Sequence, residues 1–327
     1  MLRQRTAYMI MLSLLVLVLA ACGKTMTEAS HGTSPKQDTA SEDKGTQTIQ
    51  HLKGTSVVPQ KIERMVVLSA AYIDHMLSIG EKPAGVNVEV RYGGDYLPYL
   101  ADQLQGVPTV GSADSPNLEA IVQIDPDVIV IESRTAENSY DQLEKIAPTI
   151  VLGDEWMDYN GDTEYWTQDL LTIAGMYNKV DLAKEKIAEV ELQADQLKAE
   201  IQQLGQKKLA YLRVREKNLQ IYAATGHPTN TLLYHDLGFE PSAVTPAEQR
   251  EDLSMEKIAD IDANYVVLEA DPNAQDYLSK MKESSLWKSV PAVGADQVYQ
   301  TDSFWLFKGW GAIGRSEILN EIKDMIQ

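Results

Sequence analysis

The stretch NLEAIVQIDPDVIV, residues 117–130, joins a short apolar helix to an apolar strand across an Asp-Pro stop, and SMEKIADIDANYVV, residues 254–267, repeats the arrangement. At an offset of 137 residues the two copies agree at Glu119/Glu256, Ile121/Ile258, Ile124/Ile261, Asp125/Asp262, Val130/Val267 and Glu132/Glu269. Asn117 and Ser254 are good N-caps, and a glutamate two residues later gains about 0.3–1 kcal/mol from the helix dipole. That gain accounts for either glutamate alone. It does not account for one glutamate at the equivalent place in each half, which suits a partner with two basic pockets at matching spacing.

Working outward, strands and short helices alternate on both sides of a long helical stretch. RMVVLS (64–69) reads as a strand, AAYIDHMLSIG as a helix stopped by Gly80 and PAGVN as the next strand. Helix 117–124, strand 127–132, helix 139–146 and strand 149–152 follow. From Asp162 to Leu204 the pattern is helical with a break at Asn178-Lys179; beyond it Ala183, Ile187, Val190, Ala194, Leu197, Ile201 and Leu204 form one apolar stripe. A helix of about 25 residues is about 37 Å long and forms a strut along two lobes. A coiled-coil seam is the other reading of the stripe. After Gly205, KKLAYLRVRE, NLQIYAA and NYVVLEA read as strands, and NTLLYHDLG and SMEKIADI as helices. The expected fold is α/β: two Rossmann-like lobes with central parallel sheets, joined by one long α-helix, with a ligand cleft between the lobes.

The chain opens MLRQRTAYMIMLSLLVLVLAAC, in which Arg3 and Arg5 precede an apolar run too short to span a membrane as a helix. Leu19-Ala20-Ala21-Cys22 resembles a bacterial lipobox, which implies removal of residues 1–21 and a lipid on Cys22. Cys22 is the single cysteine, so no disulfide or thiolate metal site is expected. Residues 23–50 are polar and continue the tether, placed at 22–54. The expected domains are then a lobe over 55–178, the connecting helix over 179–205 and a second lobe over 206–327. Loss of residues 1–21 leaves 27 basic against 48 acidic residues, a net charge of −21, which disfavours nucleic acid as a partner.

Against that acidity, grouped arginines carry information. Ligands of open parallel sheets bind beyond the carboxyl ends of the strands. Arg134 directly follows strand 127–132, and Arg213 and Arg215 lie two apart on one strand, hence on one face. Arg91, in VRYGGDYLPYL, is a further candidate. Tyr222, His227, Trp156, Trp305 and Trp310 are candidate walls of the cleft, and Trp287 is assigned to core. Separate surface salt bridges and ordinary packing are the alternatives for these residues. The five histidines, His31, His51, His75, His227 and His235, are too scattered to suggest a metal cluster. The chain has no G-x-S-x-G elbow, no H-E-x-x-H and no phosphate-binding glycine loop; a glycosidase-like carboxylate pair is the remaining enzymatic reading.

Lipobox, tether, lobe, long helix, second lobe and the paired NLEAIVQIDPDVIV and SMEKIADIDANYVV together resemble the class III substrate-binding proteins of bacterial ABC importers, in the siderophore and cobalamin branch. The resemblance extends to the closing LWKSVPAVGADQVYQTDSFW. It implies a monomeric, non-enzymatic receptor without cofactor, held by lipid on the outer face of a Gram-positive cell membrane. Its ligand would be an iron(III)-siderophore. Glu119 and Glu256 would dock on permease arginines, and Arg134, Arg213 and Arg215 would fall at the family's basic ligand positions. Haem or cobalamin is the alternative ligand within the family, with His227 at a haem-ligand position. An anionic ferric catecholate or citrate suits several arginines better than either.

Overall fold

The computed structural model describes residues 45–89, 96–153 and 164–327. Hairpin strands β1 (Thr46–His51) and β2 (Gly54–Pro59) lead to β3 (Met65–Leu68), α1 (Ala70–Ser78) and β4 (Gly85–Val86). The small hairpin β5 (Gly111–Ser112) and β6 (Ser115–Pro116) precedes α2 (Leu118–Ile124), β7 (Val128–Glu132), α3 (Ser133–Leu143) and β8 (Thr149–Leu152). Helices α4 (Glu164–Met176) and α5 (Val180–Gln202) cross to β9 (Lys208–Val214) and β10 (Leu219–Ile221). Next come α6 (Pro228–Thr231), a π-helical turn over Leu232–Asp236, β11 (Glu240–Pro241), β12 (Glu251–Leu253) and a 3₁₀ helix over Met255–Asp260. The chain closes with β13 (Tyr265–Ala270), α7 (Gln275–Glu283), α8 (Ser285–Lys288), α9 (Pro291–Gly294), β14 (Val298–Asp302), a 3₁₀ helix over Trp305–Trp310 and α10 (Ala312–Ile326).

Two sheets lie on either side of α5 in sequence. The first, in the order β4-β3-β7-β8, is wholly parallel. The second runs β12-β10-β9-β13-β14 with β11 also on β9. It departs from the expected all-parallel sheet, because β10 is antiparallel to both β9 and β12. Only Arg215–Asn218 separate β9 from β10, far fewer than the dozen or so residues a parallel crossover needs. The parallel part preserves the repeat: Val67 pairs with Val130 in the first sheet, and Tyr211 with Val267 in the second. Val130 and Val267 are the same position of the two copies.

Helix α5 spans 23 residues and buries Ala183, Val190, Ala194, Leu197 and Ile201. The predicted break before it falls at Asn178, whose φ of 56° is left-handed, a conformation asparagine tolerates better than most residues. The seam is not a coiled coil with a second long helix: α10 and α4 pack on α5, and one core cluster runs from Val58 to Ile322 through both halves. The described residues form one compact unit. The expected tether to residue 54 is shorter, because the β1–β2 hairpin already occupies Thr46–Pro59. The Leu52 amide donates to the Val151 carbonyl, and the Val151 amide donates to His51 Nδ1.

A polar joint holds α1 to α10. Gly311 cannot cap α10 with a side chain; instead the buried Asp74 carboxylate accepts the amides of Ile313 at 3.0 Å and Gly314 at 2.9 Å. Burial raises Asp74 to a pKa of about 6, against the lowering effect of those two amides. The fit leaves no room at Gly311, where a Cβ would stand 2.0 Å from Asp74 Cγ. Gly311→Ala is expected to cost about 1–3 kcal/mol, the usual range for overpacking, read as a lower midpoint in thermal unfolding. An unchanged midpoint would mean that the joint gives way freely.

Candidate functional site

The carboxyl ends of β9 and β13 meet in a cluster of charge. Arg213 pairs with Glu269 in register, and its Nε donates to Asp271 Oδ1 at 2.8 Å with both side chains nearly buried. Arg215, two residues further along and half exposed, has its Nε 3.9 Å from Asp271 Oδ2. Two guanidiniums thus flank one carboxylate at the strand end. Asp271 is not among the residues that the sequence singles out.

Beneath the arginines lies Glu269, fully buried. Tyr211 and Tyr222 both donate their hydroxyls to it, the latter at 2.9 Å, and the Leu306 amide donates at 2.8 Å. Burial pushes Glu269 up to about 7, opposed by the tyrosine and amide donors and the Arg213 charge. The pseudo-equivalent Glu132 closes β7 in the other sheet and accepts from Ser69 Oγ at 2.6 Å. Since Glu269 binds its proton more tightly folded than unfolded, its penalty is present above pH 7. The penalty fades as pH falls through 7 toward the ordinary range near 4.5. Wild type is therefore expected to gain on the order of 3 kcal/mol relative to Glu269→Gln between pH 8 and pH 5, read by urea unfolding at both pH values. Parallel pH profiles for the two proteins would refute the assignment.

Arg134 lies not in a free loop but in the first turn of α3, which begins at Ser133 where helix was expected only from Ser139. Strand β7 passes directly into this helix. The guanidinium is exposed and 3.7 Å from Glu132 Oε2, a loose pair that offsets the poor placement of a cation at a helix N-terminus. Each of the three arginines is thus accompanied by an acid of its own lobe.

The aromatics divide. Trp305, expected on a wall of the cleft, is fully buried, packed edge-on against Tyr211 with its indole N–H on Glu321. Tyr222 is likewise buried, with its hydroxyl on Glu269, because β10 turns back antiparallel and carries it under the sheet end. Both are packing residues. Trp287 is core, as expected. Trp310 is half-buried and lies edge-on to His227, its Nε1 donating to His227 Nε2 at 3.2 Å. His227 caps α6, its Nδ1 facing the Thr229 amide at 3.2 Å. A neutral imidazole has one lone pair for these two donors, and burial, with Arg250 nearby, holds its pKa down at about 3. The Thr229 amide and the Trp310 indole therefore compete for a single acceptor nitrogen of His227. Among the described residues no group of three or more His, Cys, Asp or Glu side chains is placed to hold a metal ion. Arg91, Trp156 and Cys22 lie outside the described residues.

Glu119 is exposed in the first turn of α2, whose cap is Asn117 Oδ1 accepting from the Ala120 amide at 3.1 Å. Glu256 is exposed in the first turn of the 3₁₀ helix Met255–Asp260. The second helix winds more tightly than the α-helix expected, and Ser254 makes no side-chain cap bond there.

These features fall in a known family. Residues 65–304 match the family model described as periplasmic binding protein, and the chain belongs to that family of binding proteins. It is 29% identical to a probable siderophore-binding lipoprotein of Bacillus subtilis, over 95% of this chain and 94% of that one. It is 28% identical to the Fe(3+)-citrate-binding protein of the same organism, over 90% and 89%. Among solved structures, the petrobactin-binding protein of Bacillus subtilis superposes with a TM-score of 0.72 at 22% identity, over 87% of this chain and 99% of that one. The two-lobed α/β fold is the fold of these binding proteins.

Proposed function

We propose that the chain is the lipid-anchored receptor of an ABC importer, which captures an iron(III)-siderophore and hands it to the membrane permease. The observation that carries the reading is similarity over nearly the whole chain to curated relatives named for ferric siderophores and ferric citrate. The grouping of Arg213 and Arg215 around Asp271 supports an anionic chelate, because arginine binds catecholate or carboxylate oxygens through a planar fork while staying charged. In this reading Arg213, Arg215 and Arg134 supply the cationic contacts, Arg91 a further one and Trp310 an aromatic face, while Trp156 stays a candidate wall. Glu119 and Glu256 meet basic pockets of the permease. Cys22 carries the lipid, which places the protein as a monomer on the outer face of a Gram-positive cell membrane. Iron is cargo and not a cofactor, and no bond of the chelate is made or broken by the protein. Native mass spectrometry of the protein recovered from iron-starved cells tests the reading. A bound mass equal to one chelator plus one ferric ion supports it; a bound haem or cobalamin mass would replace it with the alternative ligand class.

A further inference from the structure

One face of two neighbouring strands carries a row of polar side chains that runs from the surface into the core. Alternation along β9 and just past its end puts Tyr211, Arg213 and Arg215 on that face, and the register pairing of Arg213 with Glu269 sets Glu269 and Asp271 beside them. Arg215 is half exposed, Arg213 and Asp271 are nearly buried, and Glu269 and Tyr211 are fully buried. The contacts follow the same order. Arg215 Nε stands 3.9 Å from Asp271 Oδ2, and Arg213 Nε donates to Asp271 Oδ1 at 2.8 Å. Arg213 also reaches the Tyr222 hydroxyl, which donates to Glu269 Oε2 at 2.9 Å. Glu269 Oε1 accepts from Tyr211 and, at 2.8 Å, from the Leu306 amide.

The fold does not require this row. In the first sheet Val67 and Ser69 stand at the positions equivalent to Tyr211 and Arg213, and Glu132, in the place of Glu269, accepts from Ser69 Oγ at 2.6 Å with its side chain 29% exposed. A carboxylate taken wholly out of water is costly unless its charge is answered, and Arg213 is the cation that faces Glu269. Around it stand the Tyr211 and Tyr222 hydroxyls, the Leu306 amide of the 3₁₀ helix and, on β14, its register partner Thr301. Glu321 of α10 is engaged by the Trp305 indole and by Lys308. Either tyrosine hydroxyl can turn from donor to acceptor, so a protonated Glu269 finds a partner for its hydrogen where it stands.

We propose that Glu269 takes up a proton as the chelate binds to Arg213 and Arg215, a positioning residue that ties capture to pH. The inference rests on the ferric-chelate reading above and deepens it. Burial favours the protonated acid and the Arg213 charge opposes it, which leaves Glu269 poised at about 7. Negative oxygens placed on the guanidiniums offset the Arg213 charge and strengthen the hold of Glu269 on its proton. That proton comes from solvent to a carboxylate oxygen, and no other bond changes. By reciprocity, once Glu269 is neutral the arginines face one internal negative charge fewer and bind the chelate more tightly. Affinity therefore falls as pH rises through 7 and levels off well below and well above it.

Calorimetric titration of wild type with a ferric catecholate at pH 7, in two buffers of different ionisation enthalpy, counts the protons taken up. For a tenfold coupling, the share of Glu269 is expected to be about 0.4 proton per chelate and an about fivefold fall in affinity between pH 6 and pH 8. Glu269→Gln keeps the shape and fixes the uncharged form. It is expected to take up about 0.4 proton fewer than wild type and to lose the fivefold share, since any pH dependence of the chelate itself enters both proteins alike. A merely structural Glu269 would change the affinity of the variant by the same factor at every pH. Equal proton uptake by the two proteins, or parallel affinity profiles, overturns the coupling and leaves the ferric-chelate reading standing. Absence of proton uptake by wild type overturns it without recourse to the variant. Failure of wild type to bind ferric catecholate or ferric citrate at either pH overturns both.

Discussion

Replacing Arg213 by Met is expected to cost the protein about 3–5 kcal/mol, the range seen when one member of a buried ion pair is removed. The guanidinium lies between Asp271 and Glu269, and its loss leaves Asp271 with only Arg215 at 3.9 Å. Domains are stable by only about 5–15 kcal/mol, so the variant would stand near its unfolding limit at moderate temperature. Urea unfolding at pH 7 measures the loss. Arg213→Lys keeps the charge without the planar fork and is expected to lose less stability but most of the affinity for a ferric chelate. A loss below about 1 kcal/mol in Arg213→Met would mean that the pair is solvated, contrary to its burial.

The second large effect concerns transport. The double variant Glu119→Ala/Glu256→Ala is expected to reduce uptake of radiolabelled iron from its chelate to background in cells, with chelate affinity of the purified protein unchanged. Were the glutamates present only for their helix dipoles, stability would drop by about 0.3–1 kcal/mol per site and uptake would persist. Both carboxylates are exposed on tips of the two pseudo-equivalent units. Intact uptake would contradict the docking assignment, and so would lost affinity.

Much of this architecture is legible in the chain, because strand and helix periods are local. The strand at 149–152 and the break at Asn178 appear as read, and the repeat at residues 117 and 254 appears with a 3₁₀ helix in place of the second α-helix. What the sequence conceals is partnership. Nothing in YLRVRE says that Arg213 is buried against Asp271, 58 positions later, or that two tyrosines converge on Glu269. Trp305 and Tyr222 read as cleft aromatics because each closely follows a strand, yet both are buried, Tyr222 because the sheet turns back at β10. Asp74, inside a helix that otherwise reads as apolar, caps α10 some 240 residues away, and no short-range pattern announces it. Glu269 did leave a trace, as the repeat partner of Glu132, although the match alone assigns it no task.

The claim on which the account rests is that the arginines at the end of β9 grip a negatively charged iron chelate. Equilibrium titration of the purified protein with ferric catecholate and ferric citrate, followed by tryptophan fluorescence at low and high salt, tests it most directly. The account predicts saturable quenching at sub-micromolar chelate, weakened by salt and weakened about tenfold or more by Arg215→Ala, which removes one charge-assisted contact. Tight binding that neither salt nor Arg215→Ala alters would contradict it.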